Sequence, residues 1–166
     1  MNVDTLKNIL WTLLLILGQA LVLNHIHLFG FATPLLYVYV VILFRRSYPR
    51  WAILLWAFLI GLVMDVFTNM PGVAAGSMTF IGLLQPYVLE LFVRRDEDQE
   101  LSPSMQEMGF SKFFWYISIL TFIYCLCFYT LEMFLIFDWL LWVSSICGSF
   151  VLTLVLVLAF ENLRRR

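Results

Sequence analysis

Residues 51–67 read WAILLWAFLIGLVMDVF, seventeen positions with a single charge, at Asp65. A continuous apolar run of this length can satisfy its backbone polar groups in lipid only as a helix. A barrel strand would instead alternate in polarity over about 10 residues. Thr68-Asn69-Met70-Pro71-Gly72 follows and is a turn by composition, with Pro and Gly together. A second apolar run, 73–93, begins at once and is interrupted only by Gln85-Pro86. Two membrane-length segments joined by a tight turn set the expectation for the whole chain.

Composition agrees. Of 166 residues, 63% are hydrophobic and only 13% are charged, with a mean hydropathy of +0.93. Soluble domains carry about 25% charged residues, and one of this size cannot bury so much apolar surface. An aromatic content of 17% excludes disorder. The net charge of −1 leaves no basic footprint for nucleic acid. Cys125, Cys127 and Cys147 lie inside apolar runs, odd in number, and read as small packing residues rather than a disulfide framework.

Further apolar runs cover 6–23, 28–44, 113–136 and 139–160. The first has no A-x-A-like cleavage site after it and reads as a retained helix. The run 28–44 is short and holds Gly30 and Pro34. The one long polar stretch is 94–112, in which Arg94-Arg95 precede Asp96, Glu97, Asp98 and Glu100. With six spans, all ten Lys and Arg fall on one side of the membrane. The positive-inside rule then places both termini in the cytoplasm. Without 28–44 as a span, only Lys7 changes side. The expected fold is therefore an all-α integral membrane protein, one bundle of about six helices over 1–166. Trp11, Trp51, Trp115, Trp139 and Trp142 lie near span ends, as in an interfacial aromatic belt.

Acids in or near spans are candidate functional groups, because intramembrane charge is costly. They are Asp65, Glu90, Glu132 and Asp138. None falls at a clear midplane position. Glu90 has Arg94 at i,i+4 spacing as a potential partner. Asp65 is placed to accept hydrogen bonds from the open N–H groups starting the next helix, where negative charge is favoured. Turn capping alone accounts for such a position too. His25 and His27 supply two ligands, too few for zinc without Asp65 or Asp138, so no metal or cofactor is expected. Gly72 and Gly76 form a G-x-x-x-G pair, with Gly82 beyond, and Ser144/Gly148 and Ser145/Ser149 repeat the small-residue spacing that lets membrane helices approach closely. No Walker A loop, G-x-G-x-x-G or H-E-x-x-H occurs, and the scattered polar residues make no case for an enzyme.

Gly61-Leu-Val-Met-Asp65, the turn ending in Pro71-Gly72, Ala74-Ala75-Gly76-Ser77 and a helix reaching Tyr87 together resemble the rod shape-determining protein MreD family. Pro34 sits where such sequences often carry a proline. The motif covers the third and fourth spans; size, layout and the basic C-terminus agree over the whole chain. The resemblance implies a non-enzymatic component of the cell-wall elongation complex in the bacterial inner membrane. Its neighbour would be the bitopic protein MreC, with MreB, RodA and a transpeptidase in the wider complex. It also implies a distant likeness to the substrate-binding subunits of energy-coupling-factor vitamin transporters, which bears on fold and not on function.

Residues expected to shape or line a partner-binding surface are Asp65, Asn69, Gly72, Gly76, Glu90 and Glu132. The alternative is a small-solute (vitamin-like) binding subunit of a transporter, with Gln19, Asn24, Gln85, Tyr124 and Glu132 as the available polar groups. A channel or proton-coupled carrier would need a polar path through the core, which Glu132 and Asp65 alone do not make.

Overall fold

The computed structural model describes residues 34–93, 103–134 and 138–164. Among these every regular element is an α-helix: α1 (Val38–Ile42), α2 (Arg50–Thr68), α3 (Val73–Phe92), α4 (Met105–Met108), α5 (Phe110–Glu132) and α6 (Trp139–Arg164). Three helices are long and apolar enough to cross a membrane: α2, α5 and α6 over Trp139–Asn162. The 19 residues of α2 span roughly 28 Å at 1.5 Å per residue, close to a hydrocarbon core of about 30 Å. The 20-residue α3 packs along α2 on one side and against α5 on the other.

Neighbouring long helices alternate in direction. The start of α3 meets the end of α5, where Leu131 approaches Gly76. The end of α5 meets the start of α6, where Trp142 Nε1 donates to Thr130 Oγ1 at 3.3 Å. Arg45 and Arg46 therefore share one end of the bundle with Arg50 at the start of α2 and Lys112 in the first turn of α5. No described Lys or Arg lies at the opposite end, which carries Asn69 and Asp138.

The expected span 28–44 is corrected over its described part. Residues 34–44 contain only the five-residue α1, about 7.5 Å of helix. Apart from Val40, residues 34–42 are buried in the protein. Their apolar character reflects packing against other helices rather than contact with lipid. A short apolar run does not distinguish the two cases. Irregular backbone at membrane depth is tolerated only when enclosed by protein, and residues 34–42 are enclosed in this way apart from Val40. The segment 6–23, like residues 24–33, lies outside the described residues.

Two other boundaries move. The helix expected over 113–136 starts earlier, at Phe110, and gives way to a turn after Glu132. Part of the polar stretch 94–112 is ordered as α4, capped at its start by the Ser104 hydroxyl, which accepts from Glu107 N at 3.3 Å. Residues 94–102 lie outside the description.

Small residues set the α2/α3 contact, though not at the expected pair. A Cβ on Gly61 would stand 2.5 Å from the Ala75 Cα and 2.7 Å from the Ala74 carbonyl oxygen. A Cβ on Gly82 would stand 2.9 Å from the Ala57 Cβ. Ala57, Gly61 and Asp65 recur every four residues, so one ridge of α2 carries the approach. The G-x-x-x-G of Gly72 and Gly76 makes no such contact. Gly76 is exposed, its nearest neighbour in the space of a Cβ being Leu131 Cδ1 at 3.6 Å. Glycine at position 72 answers to backbone instead, with φ +91° at the N-cap of α3.

Candidate functional site

Asp65 is the centre of the turn between α2 and α3. Its Oδ2 accepts from Gly72 N at 2.9 Å and Ala75 N at 3.0 Å, and its Oδ1 from Ala74 N at 2.7 Å. These amides belong to the open N-terminus of α3. A carboxylate there is favoured by charge-assisted hydrogen bonds and by the helix dipole. The Asp65 carbonyl also accepts from the amides of Asn69 and Met70, closing the end of α2. One residue thus ends one helix with its backbone and starts the next with its side chain, while only 6% exposed. Both carboxylate oxygens are engaged by amides, and no cluster of metal-ligating residues occurs among the described residues.

Asn69 closes α2 in the left-handed region, at φ 56°. That conformation suits Asn better than most residues. Thr68 Oγ1 reinforces the end by donating to the Met64 carbonyl at 2.9 Å. The expected residues Asp65, Asn69 and Gly72 are therefore brought together in one turn, which Gly61 holds against the backbone of α3.

Glu132 lies in the last turn of α5 and follows Leu131, whose Cδ1 approaches Gly76. Its Oε2 is buried with no hydrogen-bond partner in the described structure. Burial without a partner costs free energy in any low-dielectric setting. The exposed face of α3 starts near Leu131: Gly76, Phe80, Leu83 and Tyr87 follow one another at helical spacing.

Glu90 stands at the other end of the bundle, away from Asp65. Its partner is Arg50 of α2, at 4.0 Å. Arg50 also donates to the Tyr87 hydroxyl at 3.2 Å and lies 5.0 Å from the centre of that ring. The expected partner Arg94 lies outside the described residues. The Arg50 and Glu90 side chains are both more than half exposed, so their attraction is weak.

Sequence reasoning missed the polar network that holds α1. Tyr116 donates to the Ile42 carbonyl at 3.0 Å and accepts from Gln85 Nε2 at 3.0 Å, while Gln85 also donates to the Phe44 carbonyl at 3.1 Å. These side chains satisfy the open carbonyls at the end of α1. Leu35 N donates to Thr153 Oγ1 at 3.1 Å, and the Tyr124 hydroxyl donates to that of Tyr37, their rings edge-on. Glu161, 3% exposed, accepts from the Tyr39 hydroxyl and from Met105 N, tying α6 to both α1 and α4. The signal available in sequence was a carboxylate within the last turn of an apolar helix. Of the solute-binding candidates, Gln85 and Tyr124 are engaged within the chain, and Gln19 and Asn24 lie outside the described residues.

Comparison with protein-family models, curated proteins and solved structures finds no significant match.

Proposed function

We propose that the protein is a non-enzymatic scaffold of the MreD type, a polytopic inner-membrane component of the cell-wall elongation machinery that binds the transmembrane helix of an MreC-like bitopic partner. The observation that carries this reading is the unit made by Gly61, Asp65, Gly72, Ala74 and Ala75. These residues carry the sequence resemblance, and all of them serve helix approach and capping.

In this reading the chain crosses the membrane six times, residues 34–44 forming part of one crossing as a protein-enclosed stretch rather than a continuous helix, and the arginine-bearing end of the bundle faces the cytoplasm together with both termini. Compact six-helix packing of the energy-coupling-factor type is the corresponding fold. The partner helix lies along the exposed face of α3, where Gly76 allows close approach. MreB, RodA and a transpeptidase belong to the wider assembly.

The test is affinity purification of the full chain in mild detergent, with depletion in the rod-shaped host. Co-purification of a single-span partner and loss of rod shape support the proposal. A partner-free protein that carries a tightly bound vitamin-like molecule instead supports the solute-binding alternative.

A further inference from the structure

We infer that Thr121 and Thr153 hold an ordered water molecule in the middle of the bundle, where α5, α6 and segment 34–37 meet. Thr121 is the middle residue of the 23-residue α5 and is 0% exposed. Its hydroxyl has no hydrogen-bond partner among the described residues. Other helical threonines return this group to their own backbone: Thr68, Thr79 and Thr130 each donate to the carbonyl four residues earlier. Thr121 makes no such bond to the Ile117 carbonyl, although that is the local alternative open to a helical threonine. A hydroxyl buried without a partner is costly, so its orientation points to a partner from outside the helix.

The surroundings are polar. Ser145, Ser149, Thr153, Val157 and Glu161 recur every four residues along α6, and all five are buried. This stripe gives an otherwise apolar span a polar inner face. The antiparallel register of α5 and α6 is set by the bond between Tyr129 and Ser149 and by the rings of Phe122 and Phe150, 5.7 Å apart. Thr121, next to Phe122, is therefore level with the turn of α6 that carries Thr153. Thr153 accepts from Leu35 N at 3.1 Å, which leaves its own proton to be donated. Tyr124, one turn from Thr121 on the same side of α5, donates to Tyr37, two residues on from Leu35. The bonds made by Leu35 and Tyr37 thus bracket Thr121. A water between the two threonine hydroxyls gains the two polar partners that a buried water requires. At a break in a membrane helix, Ser and Thr side chains and ordered waters take over the bonding of the backbone, and segment 34–37 is non-helical. The inference stands on the fold and is independent of the partner proposed above.

The test uses the full chain in mild detergent, with thermal melting and X-ray hydroxyl-radical footprinting read by mass spectrometry. Such footprinting modifies a buried side chain where an ordered water is activated beside it. Tyr124 is expected to be modified. Tyr116 is the control: it is equally buried, but its hydroxyl bonds to the Ile42 carbonyl and to Gln85, and it is expected to stay unmodified. Thr121→Val keeps the shape of the side chain and removes the hydroxyl. It should lose the Tyr124 modification and melt at a lower temperature, whereas Thr121→Ser should retain both properties of the wild type. The double variant Thr121→Val/Thr153→Val should melt no lower than Thr153→Val alone, because one water serves both hydroxyls. Should Thr153→Val fail to fold, Thr121→Val and the footprint decide by themselves. Modification of Tyr124 no faster than that of Tyr116 overturns the inference. So does a Thr121→Val protein as stable as the wild type, or additive losses in the double variant. A Thr121→Val protein that melts lower, with Tyr124 unmodified already in the wild type, assigns the hydroxyl to the Ile117 carbonyl and overturns the water site.

Discussion

Gly61 meets the backbone of Ala75 so closely that a Cβ at position 61 would stand 2.5 Å from the Ala75 Cα. The approach brings the first amides of α3 within reach of Asp65, one turn further along α2. Gly61→Val must push the two helices apart. Overpacking of this kind costs about 1–3 kcal/mol, so the variant should melt at a lower temperature in detergent. Gly76→Ala should melt as the wild type does, because its Cβ meets only Leu131 Cδ1 at an ordinary 3.6 Å. Gly76→Leu should spare the fold and impair binding of a partner helix. Thermal melting of the three variants, with partner co-purification, separates folding from binding.

Asp65→Ala leaves the amides of Gly72, Ala74 and Ala75 without their acceptor. An unsatisfied buried donor costs about 1–3 kcal/mol, and Ala74 and Ala75 are buried. The loss should therefore be among the largest of any single substitution in the chain. Asp65→Asn should be intermediate: one side-chain oxygen can still serve Gly72 and Ala75, while the NH₂ would confront the Ala74 amide. Unfolding in graded denaturing detergent should rank the proteins wild type, Asn, Ala. An Ala variant as stable as the wild type would remove Asp65 from this role.

The end of α1 gives a double-mutant cycle. Tyr116→Phe removes the donor to the Ile42 carbonyl, and Gln85→Leu removes the donor to the Phe44 carbonyl. The two side chains also bond to each other. Each single variant should destabilise by about 1–3 kcal/mol, and the double variant should fall short of the sum because the groups share a network. Strict additivity measured by unfolding would mean that the network does not act as a unit.

Glu161→Ala should loosen α4. The carboxylate accepts from Met105 N and from the Tyr39 hydroxyl, so its removal deprives the 103–109 segment of that anchor to α6. Limited proteolysis should cut this segment faster in the variant than in the wild type, with the long helices still protected. Equal cleavage rates would contradict the anchoring role.

Much of the frame was legible in the sequence. The run 51–67 became a helix differing by one residue at each end, and the turn at Thr68 to Gly72 lies between α2 and α3. Capping of α3 by Asp65 followed from an acid placed ahead of open amides. The burial of 34–44 was not legible, because apolar residues facing protein and apolar residues facing lipid look alike in composition. The Gly72/Gly76 pair misled for a related reason: spacing identifies a face where approach is possible, whereas contact is decided by which helix lies opposite. Gln85 and Tyr116 were hidden because their partners, the carbonyls of Ile42 and Phe44, exist only once α1 stops short. Glu161 sits just past the end of the apolar run 139–160 and so was not among the acids singled out.

The proposed scaffold role depends above all on a partner helix lying along the exposed face of α3. Site-specific photo-crosslinking in native membranes tests it most directly, with the probe at position 80 on that face and a control at position 55 on the exposed side of α2. The account predicts a discrete protein adduct from position 80, containing a single-span partner, and none from position 55. Equal protein adducts from both positions, or none from position 80 in a folded protein, would contradict it.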